Sequence, residues 1–398
     1  MKETECFLVY DHYELNGRDY MVLACFRESD RKLLYIRYYD ASAETIAGNV
    51  YVARIEKRIQ NVGVFLTIPD GHVFVRDKDC RNPFYVKKQS FKKNFSVGDL
   101  ILVQIEKDAI KSKEPEGKLS IQIRNPYFVL VKPGRDVSFS KKLPADKKQE
   151  FSEIQSGDKS LLIRTASAEL GAHDLQKKVE EAALELDGIF KDGANHTGPA
   201  IVWKDDDLLN RLLLAFPIAR NHLRITKIMT SDEAVCDRLG EYGELYTDDA
   251  LSLPDLYRIR TVTDNLLKKT VWLKSGGNIV IEQTEALTVI DVNSAKARKS
   301  QPFTVNKEAA AAIMEEISLR NLSGIIVIDF MKMHNSDEQT AICSLMRTYA
   351  EKDYARVSVE DFTKLGLLEM TREKLYPSVN QTLTGHLNYD SISSVDAQ

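Results

Sequence analysis

Two aspartates that end apolar runs are the residues of this 398-residue chain whose type and spacing best suit chemistry. Asp291 closes the run LTVID at 287–291, and Asp329 closes the run IIVID at 325–329. A helix is predicted between them, so the two strands should be parallel and present both carboxylates at the same edge of a sheet. Two oxygen ligands without His or Cys favour magnesium, or manganese, over zinc, and such a metal suits phosphodiester chemistry.

Each aspartate could instead cap a neighbouring helix or loop, because such caps are common. Asn293 lies two residues beyond Asp291, and three cations follow it: Lys296, Arg298 and Lys299. A polyanionic substrate requires cations beside the carboxylates, so this cluster favours a paired site over two separate caps.

The elements around the two aspartates have the pattern of an α/β sheet. A hairpin is predicted from strands at 271–273 and 278–283, and helices are predicted from about 306 to 319 and from a capping box, SDEQ, at 336–339. With a further strand at 355–359, the alternation of strands and helices favours parallel strands with crossover helices.

The first part of the chain is rich in strands. Short strands are predicted at 6–10, 20–26 and 33–38. The segment 49–123 is predicted to be all-β, and its five strands, the last at 119–123, fit a small oligonucleotide-binding (OB) barrel. Phe65 and Phe74, with lysines in the connections, suit stacking and charge contacts with single-stranded nucleic acid. Alternatively, both rings are core residues and the lysines form a solvated rim.

The segment between these parts is mixed. Strands are predicted at 127–131 and at 161–165, where the second ends in Arg164 and Thr165. Apolar spacing predicts helices at 175–190 and 205–220.

Composition excludes several classes of protein. Lys and Arg number 55 against 59 Asp and Glu, a net charge of −4, which excludes a uniformly basic nucleic-acid coat but leaves room for a local basic groove. The five cysteines are scattered without a Cys-x-x-Cys pair, so reduced thiols in a cytosolic compartment are expected. Neither a signal-peptide core nor an apolar run of about 20 residues is present. A soluble, cytoplasmic protein without a membrane partner is therefore expected.

Three segments carry a resemblance to a known family. They are GGNIVIEQTEALTVIDVNS at 276–294, GIIVIDF at 324–330 and GLLEMTR at 366–372. Their order along the chain and their amino-acid sequences resemble the signature of the RNase E/G endoribonucleases. The resemblance implies an α/β and all-β multidomain fold: an RNase H-like domain with an inserted OB-fold barrel and 5′-sensor, followed by a DNase I-like α/β catalytic domain. The implied ranges are 1–48 and 201–266 for the RNase H-like domain, 49–124 for the barrel, 125–200 for the 5′-sensor, 267–380 for the catalytic domain and 381–398 for a flexible tail.

The resemblance also implies roles for individual residues. The family's metal-binding aspartates match Asp291 and Asp329, and its accompanying catalytic asparagine matches Asn293. Four residues resemble its RNA-binding set: Phe65, Phe74, Lys107 and Lys113. Four others resemble its 5′-monophosphate pocket: Val129, Arg164, Thr165 and Lys364.

The chain departs from the family pattern at three places. Lys364 replaces a pocket arginine, so the charge is kept and the planar fork is lost. Lys332 stands where the family often has a further acidic residue. The cysteine pair that links two subunits through zinc is absent, so a monomer or a zinc-independent dimer is expected.

The function implied is that of a magnesium-dependent endoribonuclease. It would cut single-stranded RNA to give 5′-phosphate and 3′-hydroxyl ends, in RNA processing or decay, with magnesium, or manganese in its place, and no zinc. Two alternatives remain open at this point: an RNA-binding protein on the same scaffold with little or no cleavage, and a nuclease directed at DNA.

Overall fold

The computed structural model describes residues 4–41, 45–89, 95–109, 114–215, 223–295 and 302–384. The chain divides into two compact units. The first comprises Met1–Ala43 and Arg220–Gln398, and the second comprises Glu44–Ala219. The second unit is therefore inserted into the sequence of the first. No helix in the described ranges is long and apolar enough to cross a bilayer.

The first unit opens with an antiparallel meander that confirms the three strands predicted there. Its strands are β1 (Thr4–Leu15), β2 (Arg18–Arg27) and β3 (Leu33–Asp40). Asn16 and Gly17 join β1 to β2 with φ of 53° and 74°, values that suit an Asn-Gly hairpin turn. The inward residues of this meander form an apolar core that includes Phe7, Val22 and Phe26.

The second unit contains a closed five-stranded barrel. Its first elements are β4 (Val50–Ile59), β5 (Gly63–Ile68), β6 (Gly71–Arg76), β7 (Tyr85–Lys87), β8 (Leu100–Lys107) and β9 (Glu116–Lys118). The sheet runs β4-β5-β6-β9-β8, and a further pairing between β8 and β4 closes it. This closure agrees with the predicted OB-type barrel, whose interior is filled by Val64, Leu66, Val73 and other aliphatic residues.

One predicted barrel strand is wrong. The strand predicted at 119–123 is not the fifth barrel strand, because Glu116–Lys118 occupies that place between β6 and β8. Residues 119 and 120 bend the chain, and Ile121 and Ile123 enter a different core. The chain therefore leaves the barrel about three residues earlier than its apolar pattern suggested.

That different core belongs to a four-stranded sheet covered by a long helix. The remaining elements of the second unit are β10 (Ile121–Arg124), β11 (Phe128–Lys132), β12 (Val137–Phe139), α1 (Ala145–Glu150), β13 (Ser160–Ile163), α2 (Ala172–Gly193), β14 (Ala200–Trp203) and α3 (Leu208–Ala215). The sheet order is β10-β11-β13-β12, and β14 instead pairs with β4 of the barrel. The apolar face of α2 packs on one side of this sheet and leaves the other side uncovered by that helix.

The chain then completes the first unit. Its elements are β15 (Leu223–Thr230), α4 (Glu233–Leu239), β16 (Gly243–Leu245), α5 (Leu253–Leu256), α6 (Ile259–Leu267), β17 (Thr270–Trp272), β18 (Asn278–Gln283), β19 (Leu287–Asn293), α7 (Pro302–Leu319), β20 (Gly324–Asp329), α8 (Ser336–Ala350), β21 (Val357–Phe362), β22 (Leu367–Arg372) and α9 (Val379–Thr384). Strands β15 and β16 extend the meander in the order β16-β15-β1-β2-β3, with β15 parallel to β1.

A six-stranded sheet in the order β17-β18-β19-β20-β22-β21 follows. Strands β19 and β20 are parallel and joined through α7, as predicted. Strand β22 lies between β20 and β21 and is antiparallel to both. The predicted parallel strand at 355–359, which is β21, is therefore parallel to β20 but not adjacent to it. Alternate residues of these strands pack under α7 and α8 in one core. The opposite face of the sheet is not covered by these two helices.

The helix α8 is capped one residue earlier than its sequence motif suggested. Asn335, not Ser336, is the N-cap, and its side chain accepts from the backbone N–H of Glu338 at 2.9 Å. The Glu338 carboxylate accepts in return from the N–H of His334 at 2.9 Å. The arrangement resembles a capping box, except that the return bond goes to the residue before the N-cap.

A buried ion pair anchors β22. The Arg372 guanidinium donates to both carboxylate oxygens of Asp353 at 3.0 Å and to the side-chain oxygen of Asn321 at 2.9 Å. All of these groups are buried, so each charge is compensated by a partner and by hydrogen bonds. This anchor fixes the strand that flanks Asp329.

Candidate active site and nucleic-acid interface

The two aspartates singled out from the sequence are direct neighbours in the sheet. Asp291 on β19 and Asp329 on β20 are register partners in the parallel ladder. Strands in a sheet lie about 4.8 Å apart, and residues in register share a face. Neighbouring positions on both strands are buried under the helices, so the two carboxylates lie on the opposite, open face, where Asp291 is half-buried and Asp329 exposed.

Asparagine side chains flank this pair on the same face. The Asn293 amide donates to Oδ2 of Asp291 at 2.8 Å, which orients that carboxylate. On the adjacent strand, Asn278 is the register partner of Asn293. The side-chain oxygen of Asn278 is buried and has no hydrogen-bond partner among the residues that the structure describes. Buried polar atoms are normally satisfied, so this orphan oxygen beside the aspartates suggests a missing ligand or water.

The donor set fits magnesium better than zinc. Within the described part of the chain, His, Cys, Asp and Glu nowhere gather in groups of three as metal ligands would. Magnesium is commonly held by one or two carboxylates while it keeps water and phosphate oxygens as other ligands. Asp291, Asp329 and the nearby amide oxygens meet that requirement.

A buried asparagine of α7 forms hydrogen bonds with the backbone of the segment after Asp329. The Asn306 amide donates to the carbonyl of Met331 at 2.8 Å and accepts from the N–H of the same residue at 3.1 Å. Asn306 is fully buried, so this two-way contact acts like a ladder bond and fixes the chain where it leaves β20.

Two exposed lysines follow strands at this edge of the sheet. Lys332 is exposed just beyond β20, where the family pattern suggested an acidic residue. Lys364 is exposed in the turn between β21 and β22, three residues before Leu367, the register partner of Asp329. The predicted cation cluster Lys296, Arg298 and Lys299 lies outside the described residues.

In the second unit, the two phenylalanines form part of a row that crosses the barrel. Phe65 is the register partner of Phe74, Phe74 that of Glu116, and Glu116 that of Lys107. Partners in register share a face, so these side chains form one transverse row on the outside of the barrel. Lys57, the register partner of Phe65, extends the row at its other end.

The two rings are not core residues. Both are half-buried, and their centroids are 4.9 Å apart with planes tilted by 40°. The barrel core is built from the alternate positions on the same strands, including Val64, Leu66 and Val75. The alternative that both rings fill the core is therefore wrong for these strands.

Gly63 makes room for the second ring. A Cβ at this position would lie 2.8 Å from the Phe74 ring and 2.1 Å from the carbonyl oxygen of Val75. Its φ of +155° is also one that other residues rarely adopt. The glycine thus permits the ring to lie flat against the strand.

A shallow groove of about 630 Å³ runs over this row. Both rings line it, together with Asn61, Val62, Arg76, Asp77, Lys78, Glu114 and Glu116. Arg76 donates to Glu116 at 2.5 Å, so the carboxylate in the middle of the row is neutralised. Lys107 is exposed at the end of β8, and the predicted Lys113 lies outside the described residues. An apolar platform with cations at its margins suits single-stranded nucleic acid.

The predicted phosphate-binding residues of the second unit also lie together. Val129 is in β11, and the backbone N–H of Arg164, just after β13, donates to the carbonyl of Tyr127 at 2.8 Å. The Arg164 guanidinium donates to the carbonyl of Asn125 at 3.0 Å, and Thr165 shares a hydrogen bond of 2.9 Å with the hydroxyl of Ser140. The fourth predicted member, Lys364, belongs to the other unit.

Sequence reasoning missed Lys57, Asn278 and Ser140. Each is a single polar residue in an ordinary strand or loop pattern, and only strand pairing or side-chain bonding places it beside a candidate site. The cross-strand register that relates them to Phe65, Asn293 and Thr165 is not encoded in any local motif.

The chain is similar to proteins of the ribonuclease E/G family. The chain matches the model of the Ribonuclease E/G family over residues 122–375, more than half of its length. It is 27% identical to ribonuclease E of Synechocystis over 361 residues, which cover 82% of this chain and 52% of that protein. It is 26% identical to ribonuclease E of Nostoc over 387 residues, covering 90% and 55% respectively.

A third relative is shorter. The chain is 26% identical to ribonuclease G of Escherichia coli over 367 residues, which cover 85% of this chain and 75% of that protein. The chain thus spans about half the length of the two ribonuclease E proteins and three quarters of this one.

Proposed function

Because the chain belongs to the ribonuclease E/G family, we propose that it is a magnesium-dependent endoribonuclease acting on single-stranded RNA. The observation that carries the proposal is the register pairing of Asp291 with Asp329 on the open face of the six-stranded sheet. Two carboxylates held one strand apart by a hydrogen-bonded ladder are a preorganised oxygen site. The relatives named ribonuclease E and ribonuclease G support RNA as the substrate.

In this proposal Asp291 and Asp329 would hold the metal. Magnesium, when bound, supplies positive charge that polarises a phosphate and activates water for attack on phosphorus. Asn293 orients Asp291 through its 2.8 Å hydrogen bond, and Asn278 offers an unsatisfied amide oxygen for water or substrate. The products would carry 5′-phosphate and 3′-hydroxyl ends.

In this proposal the barrel row would bind RNA through nucleotides other than those at the cleaved bond. Phe65 and Phe74 would stack on bases, and Lys107 and Lys57 would contact phosphates at the two ends of the row. Stacking requires unpaired bases, which is why we propose single-stranded RNA. Arg164, Thr165 and Val129 would bind a 5′-monophosphate, since an arginine fork can hold two phosphate oxygens.

We also propose that the meander and the sheet of β19 and β20 belong to RNase H-like and DNase I-like domains, respectively. Strands β15 and β16 continue the meander after the insertion, which supports the first assignment. For assembly we propose a monomer or a dimer that does not depend on zinc.

A second function is favoured by one observation. Lys332 stands exposed beside the aspartate edge instead of a carboxylate, which leaves two acidic ligands and adds a competing positive charge. A protein that binds RNA on the same scaffold and cuts it poorly would fit that arrangement.

One experiment separates the two functions. The protein is incubated with a single-stranded RNA carrying a 5′-monophosphate, with and without magnesium, and the products are resolved by size. We expect cleavage only with magnesium, and loss of cleavage in Asp291→Asn and Asp329→Asn while RNA affinity is kept. Loss of one of two metal carboxylates removes the ion's charge from the site, so a fall of at least a hundredfold is expected.

A carboxylate on the same face provides the matched control. Glu282 is exposed on β18 and pairs with Lys269 at 3.1 Å, so Glu282→Gln removes one charge from this face without touching the pair. It should cut like the unmodified protein. Binding without any cleavage in the unmodified protein would establish the second function, and full cleavage by either aspartate variant would refute the metal assignment.

A further inference from the structure

One arginine beside the proposed phosphate pocket has a guanidinium group without a carboxylate partner among the described residues. Arg124 is the last residue of β10 and is half-buried. Its guanidinium makes no ion pair or side-chain hydrogen bond with the residues that the structure describes. A cation kept half-buried without a carboxylate costs free energy, so a ligand is the natural explanation for its retention.

Strand pairing places Arg124 on the same face as the pocket. Arg124 is the register partner of Val129, and Val129 is that of Leu162. Arg164 lies two residues beyond Leu162 in extended backbone, with φ −92° and ψ 166°, and so returns to this face. Arg124 and Arg164 are therefore two strands across and two residues along from each other, about 12 Å apart at the backbone, with Val129 on the strand between them.

The Arg164 side chain extends toward the strand that carries Arg124. The Arg164 guanidinium reaches across to the carbonyl of Asn125 at 3.0 Å, the residue directly after Arg124. Burial lowers the pKa of Arg164, and the neighbouring charge of Arg124 lowers it further. An anion placed between the two groups would relieve this repulsion.

A third cation extends the cluster toward the barrel. Burial lowers the pKa of Lys118 on β9 to about 8, and Arg124 again lowers it, while Glu106 and Asp79 partly oppose the change. Lys118 is two residues from Glu116 on the same strand and so shares the outer face with the stacking row. Lys118 is itself buried, so it adds positive potential near Arg124 and does not offer a contact surface for RNA.

The backbone of Arg124 is held on two sides. The buried side chain of Gln104, in the barrel, donates to the carbonyl of Gln122 at 3.0 Å and accepts from its N–H at 3.0 Å. The Asn210 amide donates to the carbonyl of Arg124 at 2.7 Å. The strand that carries Arg124 is therefore fixed to the barrel, which limits the positions that the Arg124 side chain can adopt.

We propose that Arg124 is a specificity-determining residue that binds the 5′-terminal phosphate of RNA together with Arg164. The inference rests on the proposed ribonuclease function and adds to it a residue for recognition of the RNA end. Two planar guanidinium groups can each hold two phosphate oxygens, which a lysine at position 364 cannot do. Arg124 supplies the second fork from within the same unit as Arg164.

The test compares two RNAs of identical sequence that differ only in a 5′-monophosphate or a 5′-hydroxyl. Dissociation constants are measured by fluorescence anisotropy on the full chain carrying Asp329→Asn, without divalent ions, so that neither RNA is cut. Arg124→Gln should weaken binding of the phosphorylated RNA about tenfold or more and leave the hydroxyl RNA unchanged. Arg124→Lys should retain part of the difference, because it keeps the charge without the fork.

Arg135 offers a matched control. It is an exposed arginine in the loop after β11, at the end of the sheet opposite Arg164, so Arg135→Gln should change neither affinity. Equal loss for both RNAs in Arg124→Gln, or no loss, would overturn the inference. So would a preference that Arg164→Gln abolishes and Arg124→Gln leaves intact.

Two readouts separate this inference from its premise and from misfolding. If the unmodified protein shows no preference for the phosphate, the pocket and this inference both fail, while magnesium-dependent cleavage still decides the ribonuclease function. Arg124→Gln should melt at the same or a higher temperature than its parent, since it removes repulsion on Arg164 and Lys118. A marked fall in melting temperature would indicate a structural role and count against the inference.

Discussion

Replacing Phe65 and Phe74 by alanine, singly and together, should show that the rings act as one stacking surface. Their centroids are 4.9 Å apart, which is within the range of direct contact between aromatic rings. A base therefore cannot enter between them and must stack on the surface that they share. The two rings should then depend on each other for RNA affinity.

The expected size of the effect follows from that geometry. Loss of one base stack costs roughly 1–3 kcal/mol, which is about 5- to 150-fold in the dissociation constant. The double variant should lose less than the sum of the single variants, with a coupling energy of at least about 0.5 kcal/mol, because removal of either ring already breaks the surface.

Binding of a short single-stranded RNA, measured by fluorescence anisotropy at fixed salt, provides the assay. Phe74→Leu is the control for packing, since it keeps an apolar side chain but cannot stack. It should lose affinity like the alanine variant and keep more of the folding stability. Additive losses within about 0.3 kcal/mol would mean two separate base sites, and unchanged affinity in folded variants would remove both rings from the interface.

Three further predictions concern other parts of the chain. Burial lowers the pKa of Lys118 from 10.5 to about 8 in the folded state. Between these pH values the unfolded state binds more protons than the folded state, so the free energy of unfolding rises with pH. Measured in denaturant titrations and compared with Lys118→Met, this rise should be roughly 3 kcal/mol between pH 8 and 10.5. No such rise would mean that Lys118 ionises normally. Gly63→Ala should destabilise the barrel by about 1–3 kcal/mol and weaken RNA binding, because its Cβ meets the Phe74 ring; unchanged melting and affinity would contradict this. A zinc-selective chelator should leave the mass in light scattering unchanged, and dissociation on chelation would show a zinc link.

The pairing of the two aspartates could be predicted from the sequence alone. Asp291 and Asp329 each end a continuous apolar run, and the rule that parallel strands present their carboxyl ends together is enough to place them side by side. The barrel row shows the limit of such reasoning. Phe65 and Phe74 could be chosen by residue type, but their position outside the core depends on strand register, which local sequence specifies weakly.

Boundaries and polar partners were the least predictable features. The strand at Ile121 has the same apolar alternation whether it closes the barrel or begins the next sheet, and only the bend at 119–120 decides between them. Arg124 resembles any surface arginine until its partners across the sheet are known. Such contacts join residues far apart in the chain, so periodicity within one element carries no information about them.

The ladder that joins Asp291 to Asp329 has a consequence for how this sequence can change. The spacing of the carboxylates is set by hydrogen bonds between β19 and β20 and not by the length of chain that connects them. Insertions between residue 294 and the start of α7 should therefore be tolerated, whereas insertions within α7 would disturb the core under the sheet. A deletion of one residue inside either strand would turn its aspartate toward the helices and destroy the pair. The site is thus robust to changes in loop length and brittle to a single slip within a strand, and natural variation should follow that division.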